Sequence, residues 1–214
     1  DGSLREYEFN RAVARRLAYH LERHGLKTMY SCDIDAHEDA STSERCKAAN
    51  NAKADLFISI HANAFGTGWN DANGWEIYYC NGSTKGKALA DAIHVLSKDL
   101  GLTDRGVKVG AWDVIVHTSM PAVLIEHEFM TNLTAAEKLK AQDWRDKWAV
   151  ADAKGILSYL GIAWIEEKAH WGEKHLDSLT AKGIINTPEA HRDSMDGYFT
   201  KAQIFAMLDR ITDK

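Results

Sequence analysis

Two short apolar segments, each ending in a chemically active side chain, constrain this chain most. One is Ala122-Val-Leu-Ile-Glu126 and the other is Asp55-Leu-Phe-Ile-Ser-Ile-His61. Their length and apolar content are typical of strands that are buried on both faces, as in parallel sheets. In such sheets ligands bind in the crevice beyond the carboxyl ends of the strands. The pattern therefore predicts an α/β fold that presents a carboxylate and an imidazole at one sheet edge.

Segments with helical spacing alternate with strand-like segments along the chain. Phe9, Val13, Leu17 and Leu21 recur every four residues before Gly25 and predict a helix over residues 6–24. Further helices are predicted over residues 41–53, 83–100 and 143–160, and further strands over residues 26–31, 74–80, 107–109 and 114–117. Strands separated by helices imply βαβ crossovers. We therefore expect a largely parallel, twisted sheet with helices on both faces.

The composition changes near Ala163, which predicts a boundary between two domains. We expect a main domain over residues 1–162 and a small helical unit over residues 163–214, with a final helix from Thr200. About fifty residues bury too little apolar surface for a robust core of their own. The small unit is therefore expected to dock on the main domain or to act together with it.

Composition excludes several classes of protein. The 214 residues are 45% apolar and 27% charged, as expected for a folded domain, and the net charge of -5 without a long basic run argues against nucleic-acid binding. No apolar run reaches the roughly 18 residues that a membrane helix needs. Cys32, Cys46 and Cys80 form no CxxC pair, so neither a disulfide framework nor a thiolate metal site is indicated.

Three side chains have competing local interpretations. His61 ends a strand beside small residues and is either a hydrogen-bonded structural imidazole or a metal ligand. Glu6 completes a capping box with Ser3, an interpretation that the local sequence favours. Glu126 ends the most apolar strand, where burial raises a carboxyl pKa and prepares it as a general base. Strand alternation puts Glu128 on the same side, so either glutamate fits that role.

Other polar and aromatic residues have positions near the same predicted edge. His117 and the turn Asp104-Arg105-Gly106 either line it or belong to a solvated loop. Trp69 and Trp75 flank a loop rich in Gly and Asn. An exposed tryptophan there would stack on a sugar, whereas a buried one would pack on the core.

Four motifs, in order over residues 4 to 160, carry a resemblance to a known family. They are Glu6-Tyr-Glu-Phe-Asn10, Ala54-Asp-Leu-Phe-Ile-Ser-Ile-His61-Ala-Asn63-Ala, Asp104-Arg-Gly-Val-Lys108 and Met120-Pro-Ala-Val-Leu-Ile-Glu126-His-Glu-Phe-Met-Thr-Asn132. Together they resemble the zinc-dependent N-acetylmuramoyl-L-alanine amidases of type 3, which include autolysins and phage endolysins. The resemblance implies the α/β amidase fold and one Zn²⁺ held by His, Glu and His with an open position for water.

Carried over by motif, the resemblance assigns roles to individual residues. Glu6 and His61 become metal ligands, which reverses the capping interpretation of Glu6, and Glu126 becomes the catalytic carboxylate. Substrate-binding roles are expected for Asn63, Arg105, His117 and Glu128. The family's first histidine ligand lies in a Gly-His motif ahead of the glutamate, so we expect it upstream of Asp1 and the site within residues 1–214 to be one ligand short.

The expected function is hydrolysis of the amide between N-acetylmuramic acid and L-alanine in peptidoglycan, at the cell wall, by a secreted protein or a released phage endolysin. Two alternatives remain: a catalytically incomplete module that binds the wall, and a zinc peptidase acting on the stem peptide. Residues 170–186 followed by 200–210 resemble one surface-layer-homology repeat, which implies binding to a secondary cell-wall polymer. Neither nucleic acid nor membrane is an expected partner.

Overall fold

The computed structural model describes residues 4–36, 40–166, 173–185, 204, 205 and 208 of the chain. Two compact units are present, Asp1–Trp164 and Ile165–Lys214. The elements in chain order are α1 Glu6–Arg23, α2 Thr42–Ala52, β1 Phe57–Asn63, β2 Trp75–Cys80, α3 Thr84–Ser97, a 3₁₀ turn Lys98–Leu100, β3 Asp104–Gly110, α4 Asp113–Val116, β4 Ala122–Phe129, α5 Leu133–Lys140, α6 Gln142–Leu160 and α7 Glu173–Ala181.

The four strands form one sheet in the order β1-β4-β2-β3. Strand β4 runs parallel to β1, and β2 runs parallel to β3, whereas β4 and β2 are antiparallel. The prediction of a largely parallel sheet in an α/β fold is confirmed. The reversal between β4 and β2 brings the carboxyl end of β4 beside the amino end of β2, which determines where the functional side chains meet.

Helices cover both faces of the sheet, as predicted. One core cluster includes α1, α3 and α6 through Phe9, Ile93 and Trp148, together with Ile77 and Ile125 of the sheet. The smaller cluster on the opposite side includes α2, α4 and the outward residues of β1 and β4. Because strands β1 and β4 contribute to both clusters, their apolar runs are continuous instead of alternating.

Helices α3 and α6 approach each other closely at one glycine. A Cβ placed on Gly155 of α6 would lie 2.4 Å from the Cα of Ile93 in α3. Real side chains do not make such contacts, so any larger residue would force the two helices apart. The absent side chain at Gly155 is therefore what allows this helix contact.

Two predicted strands are wrong. Residues 26–30 form no regular structure, and Met29 and Tyr30 are 51% and 41% exposed, so their apolar character does not reflect burial against a sheet. Residues 114–116 belong to α4, in which the N–H groups of Ile115 and Val116 donate to the carbonyl of Trp112, and the buried Val114 and Ile115 pack against α2 and the sheet.

Strand β3 is longer than predicted, and helix α5 was not predicted. Strand β3 begins at Asp104 and therefore includes Arg105, which was placed in a turn. Helix α5 follows directly on β4, and its N-cap Asn132 accepts a hydrogen bond from Ala135 N at 3.0 Å. An Asn before a helical segment is an ordinary N-cap signal, so this helix was predictable from the sequence.

The second unit is small and has a core of its own. Leu176 and Leu179 of α7 are buried together with Phe205. Of the two segments expected to resemble a surface-layer repeat, residues 173–185, 204, 205 and 208 are described, whereas most of the helix predicted from Thr200 lies outside the described residues. Within the described residues no helix has the length and hydropathy that crossing a bilayer requires.

Candidate active site

His61, Glu126 and Glu76 form one row across three neighbouring strands. His61 of β1 pairs with Glu126 of β4, and Glu126 pairs in turn with Glu76 of β2. Side chains of residues directly opposite one another project from the same face with Cβ atoms about 5 Å apart. The carboxylate and the imidazole predicted at one sheet edge are therefore brought together, with a third group, Glu76, that the sequence analysis did not identify.

Glu6, the first residue of α1, reaches this row. Its Oε1 lies 2.8 Å from Nδ1 of His61 and accepts longer hydrogen bonds from Asn10 Nδ2 and Ala62 N, both at 3.3 Å. Burial opposes ionisation, but the hydrogen bonds and the His61 ring outweigh it, so the pKa of Glu6 is lowered. Its carboxylate therefore faces the sheet, and the N-cap residue of α1 is Arg5, without a side-chain capping bond.

Both ring nitrogens of His61 have neighbours. Nδ1 faces Glu6, and Nε2 lies 2.9 Å from the hydroxyl oxygen of Ser59. In the neutral ring, Nδ1–H donates to the carboxylate while Nε2 accepts from the Ser59 hydroxyl. This pair of contacts fixes the plane of the imidazole beside Glu126.

Glu126 is an ionisable group without a hydrogen-bond partner on its buried oxygen. Among the described residues, Oε2 of Glu126 has none. Burial is the largest cause that raises its pKa, to about 7, and the nearby carboxylates Glu6 and Glu76 add to it, while His61 and His127 oppose it. A carboxyl group that titrates near neutrality can both accept and return a proton at physiological pH.

Glu76 lies in the opposite electrostatic situation. It is 3% exposed, its Oε1 accepts hydrogen bonds from Asn63 Nδ2 at 2.9 Å and from the Tyr78 hydroxyl at 2.6 Å, and its Oε2 accepts from Arg105 Nε at 2.8 Å and from Lys108 Nζ. Burial raises the pKa, but these donors outweigh it and lower the pKa of Glu76 to about 2. The predicted residues Asn63 and Arg105 are thus assembled around a carboxylate that stays ionised.

His127 projects from the opposite face of β4, as the alternation predicted. Its Nε2 lies 2.8 Å from Oδ2 of Asp152 in α6, and its Nδ1 lies 3.2 Å from the backbone oxygen of His61. Burial lowers the pKa of His127, but the Asp152 carboxylate and the His61 carbonyl outweigh it, so the pKa is raised. Because both partners are acceptors, both ring nitrogens donate. The pair links α6 to the strand that carries His61.

The other two predicted substrate-binding residues lie elsewhere. Glu128 is 2% exposed; its Oε2 accepts from Gly74 N at 2.7 Å, and its Oε1 lies 3.8 Å from Lys138 Nζ. His117 follows α4 and borders a surface cavity between α2 and α4, with Asp113 at 3.6 Å. Glu128 therefore contacts the loop before β2 and helix α5, and His117 lies beside α2 and α4. These contacts of the two side chains are not with His61 or Glu126.

The loop over residues 64–74 passes over the carboxyl end of β4. Asn70 N and Phe65 N donate to the backbone and side-chain oxygens of Thr131, at 2.9 and 3.1 Å. Trp69 is 64% exposed in this loop, whereas Trp75 is 2% exposed and belongs to the core. Of the two tryptophans that flank the loop, only Trp69 is thus available to a ligand.

The donor atoms at the row suit zinc in kind but are few. Glu6 and His61 provide an oxygen and a nitrogen, which Zn²⁺ accepts as ligands, and coordination through Nδ1 would replace its hydrogen bond to Glu6. Catalytic zinc sites use three protein ligands. In the part of the chain that the structure describes, no group of three or more His, Cys, Asp or Glu residues is placed to hold a metal.

Two curated relatives match a large part of this chain. The chain is 41% identical over 162 residues to the N-acetylmuramoyl-L-alanine amidase LytC of Bacillus subtilis, covering 73% of this chain and 31% of that protein. It is 39% identical over 126 residues to the endolysin of Bacillus phage SPP1, covering 56% of this chain and 45% of that protein. The chain thus spans less than half the length of either relative.

Solved catalytic domains show the same fold. The catalytic domain of the N-acetylmuramoyl-L-alanine amidase CwlV from Bacillus (Paenibacillus) polymyxa var. colistinus is 34% identical, with a TM-score of 0.68, covering 74% of this chain and 86% of that one. The N-acetylmuramoyl-L-alanine amidase AmiC2 of Nostoc punctiforme is 30% identical with the same TM-score, covering 75% and 87%. The family model described as N-acetylmuramoyl-L-alanine amidase matches residues 1–158, so this chain belongs to that amidase family.

Proposed function

We propose that the chain hydrolyses the amide bond between N-acetylmuramic acid and L-alanine in peptidoglycan, and that it acts at the cell wall. The observation that carries the proposal is the carboxyl group of Glu126, in register with His61, whose buried Oε2 has no hydrogen-bond partner among the described residues. Membership of the amidase family and similarity to the catalytic domain of CwlV support it.

In this proposal Glu126 transfers the proton. Its carboxylate takes a proton from the attacking water and returns it to the nitrogen of the leaving L-alanine. A pKa raised to about 7 suits both steps, because the group loses and regains a proton without a large free-energy change. Oε1 of Glu6 and Nδ1 of His61 lie 2.8 Å apart, so the two groups converge beside Glu126.

We further propose that Glu6 and His61 are two ligands of a catalytic Zn²⁺ and that the third lies outside the described residues. The ion would polarise the scissile carbonyl and lower the pKa of a bound water molecule. The lowered pKa of Glu6 keeps its carboxylate ionised and able to bind a cation. Asn63 and Arg105, which contact Glu76 beside the row, are proposed to contact substrate.

The substitution Glu126→Gln tests the proton transfer. It keeps the shape of the side chain, so we expect an intact fold and at least a hundredfold loss of peptidoglycan hydrolysis. The fall in turbidity of a cell-wall suspension gives the rate of hydrolysis. Free lactyl groups of muramic acid identify amidase cleavage, whereas released terminal amino acids would indicate the zinc peptidase.

The control is Glu137→Gln, an exposed glutamate of α5 whose side chain is 76% exposed. It should hydrolyse walls at the unchanged rate. Undiminished hydrolysis by Glu126→Gln would contradict the role given to Glu126.

A second candidate function is a catalytically incomplete module that binds the wall, which the two-donor metal site favours. Metal analysis of the purified chain distinguishes the two functions. For the enzyme we expect about one zinc per chain, lost together with activity on chelation and in His61→Ala. A chain without zinc that sediments with cell walls but releases no lactyl groups would establish the module instead.

The predicted binding of the second unit to a secondary cell-wall polymer stays a proposal. We assign this binding to residues 165–214. The test is cosedimentation of the protein with cell walls before and after that polymer has been extracted from them. Equal sedimentation with both wall preparations would contradict it.

A further inference from the structure

Two cations of β3, Arg105 and Lys108, lie beside the candidate site, and both pair with Glu76 near the amino end of β2. Glu76 is directly opposite Glu126, and β3 follows β2 in the sheet. The register between β2 and β3 shifts between Trp75 and Ile77, which brings Arg105 next to Glu76. With neighbouring strands about 4.8 Å apart, β2 lies roughly 10 Å from β1 and its His61. A group a few bonds away from a reaction centre between His61 and Glu126 is therefore within reach of the cations.

The group carries more positive charge than the buried carboxylate neutralises. Arg105 and Lys108 both pair with Glu76, and one carboxylate balances only one of them. Asp104, the neighbouring acid, pairs with His94 at 2.8 Å and with Lys98 at 3.6 Å instead. Within the group of Arg105, Lys108 and Glu76, one positive charge is therefore in excess.

The side chains of the two cations are partly exposed, whereas the carboxylate is buried. The side chains of Arg105 and Lys108 are 36% and 35% exposed, against 4% for Glu76. Arg105 uses only Nε for Glu76, and within the described residues its two terminal nitrogens have no hydrogen-bond partner. Lys108 likewise has donors beyond its contact with Glu76.

The orientation of the guanidinium group is fixed before any ligand arrives. Its Nε is held by Glu76, and its carbon lies 4.9 Å from the centroid of the Phe129 ring at the end of β4. A planar guanidinium held in this way presents its remaining N–H groups as a fork, the arrangement that binds carboxylates through two hydrogen bonds. A cation that merely neutralised Glu76 would need no such exposed fork.

We propose that Arg105 and Lys108, positioned by Glu76, form a subsite for a carboxylate of the stem peptide. This inference rests on the proposed function, which places the peptide on the leaving-amine side of the scissile bond. The ligand is an acidic residue next to the L-alanine of the substrate. The subsite thereby selects peptides with a free carboxylate over those in which that group is amidated.

Binding of small peptides tests the subsite without any turnover. The probes are N-acetyl-L-alanyl-D-glutamate and its uncharged diamide, with the dissociation constants measured by NMR titration at low ionic strength. We expect the protein to bind the acidic peptide at least tenfold more tightly than the diamide. Arg105→Gln and Lys108→Gln should each remove most of that preference while leaving the affinity for the diamide unchanged.

Lys87→Gln serves as the matched control, since Lys87 is an exposed cation of α3 paired with Asp91. It should keep the full preference for the acidic peptide. Equal binding of the two peptides by the unmodified protein would overturn the proposal, and so would equal losses for both peptides in the Arg105→Gln protein.

Kinetics separates failure of the subsite from failure of the proposed function. On muramyl peptides that carry either the free or the amidated carboxyl group, Arg105→Gln should raise KM about tenfold for the acid form alone. If the unmodified protein cleaves neither form, the proposed function fails while peptide binding still decides the subsite. If it cleaves both forms with equal KM, the amidase stands and the subsite is wrong.

Discussion

At the scale of the residue, two paired carboxylates have opposite proton affinities. Glu76 accepts four hydrogen bonds, two of them from cations, and its pKa is lowered to about 2. Glu126 lies opposite, has a buried oxygen without a partner within the described residues, and its pKa is raised to about 7. The number of hydrogen-bond donors therefore distinguishes Glu76, which stays charged, from Glu126, which can exchange a proton. This arrangement is expected when one carboxylate is structural and the other is reactive.

The lowered pKa of Glu76 predicts a specific dependence of stability on pH. A carboxyl group whose folded pKa lies below its unfolded value of about 4.5 stabilises the protein above pH 4.5, and this contribution is lost as the pH falls towards 2. Glu76→Gln leaves the two cations without their carboxylate. We expect it to lower the free energy of unfolding by about 1–3 kcal/mol at pH 7 and by progressively less below pH 4.5.

Urea unfolding at several pH values measures this difference. Glu137→Gln, whose carboxylate is exposed, should show little difference from the unmodified protein at any pH. A difference between Glu76→Gln and the unmodified protein that stays constant from pH 7 to pH 3 would contradict the assigned cause.

The site residues divide into those that the sequence could reveal and those that it could not. His61 and Glu126 were predictable because each ends an apolar run, which is a local signal. The cluster around Glu76 was not, because its donors come from β1, β2 and β3, and only the strand register brings them together. The resemblance to the family identified Glu6, for which the local pattern favoured a cap.

At the scale of the element, the periodicity of apolar residues predicted most helices and strands, but it did not predict which strands pair in the sheet. Helix α1 and strand β4 were recognisable because each repeats its apolar residues over several turns or positions. Helix α4 has only four residues, too few for a period to appear, and it was taken for a strand. The antiparallel pairing of β4 with β2 depends on contacts distant in sequence, so no local pattern indicated it.

The contact between α3 and α6 predicts the effect of a single methyl group. Alanine normally stabilises a helix interior by about 1 kcal/mol relative to glycine. At Gly155 we expect the reverse, because the added Cβ would lie 2.4 Å from the Cα of Ile93. Gly155→Ala should therefore lower the free energy of unfolding by about 1–3 kcal/mol.

Ser158→Ala is the comparison on the same helix, since Ser158 is exposed. It should leave the melting temperature unchanged or raise it slightly. If Gly155→Ala were as stable as Ser158→Ala in thermal unfolding, the close packing at this point would be disproved.

At the scale of the whole molecule, the core and the candidate site of the first unit are both built from residues up to Trp164. The principal core cluster draws its members from Leu4 to Trp164, and His61, Glu126 and Glu76 lie within the same range of residues. We therefore expect a protein truncated after Trp164 to fold with an unchanged urea midpoint for this unit. Loss of cooperative unfolding on truncation would show that the second unit contributes to the stability of the first.

The reversal of strand direction between β4 and β2 determines which loop can change in sequence without disturbing the candidate site. The segment over residues 64–74 joins the end of β1 to the start of β2 and must bridge the end of β4, to which Asn70 and Phe65 attach it through Thr131. This one loop therefore crosses the sheet edge at which the candidate site lies, whereas His61 and Glu126 belong to the strands. Insertions or replacements in this loop, with the Asn70 anchor kept, would reshape the entrance to the candidate site without moving the carboxyl group of Glu126.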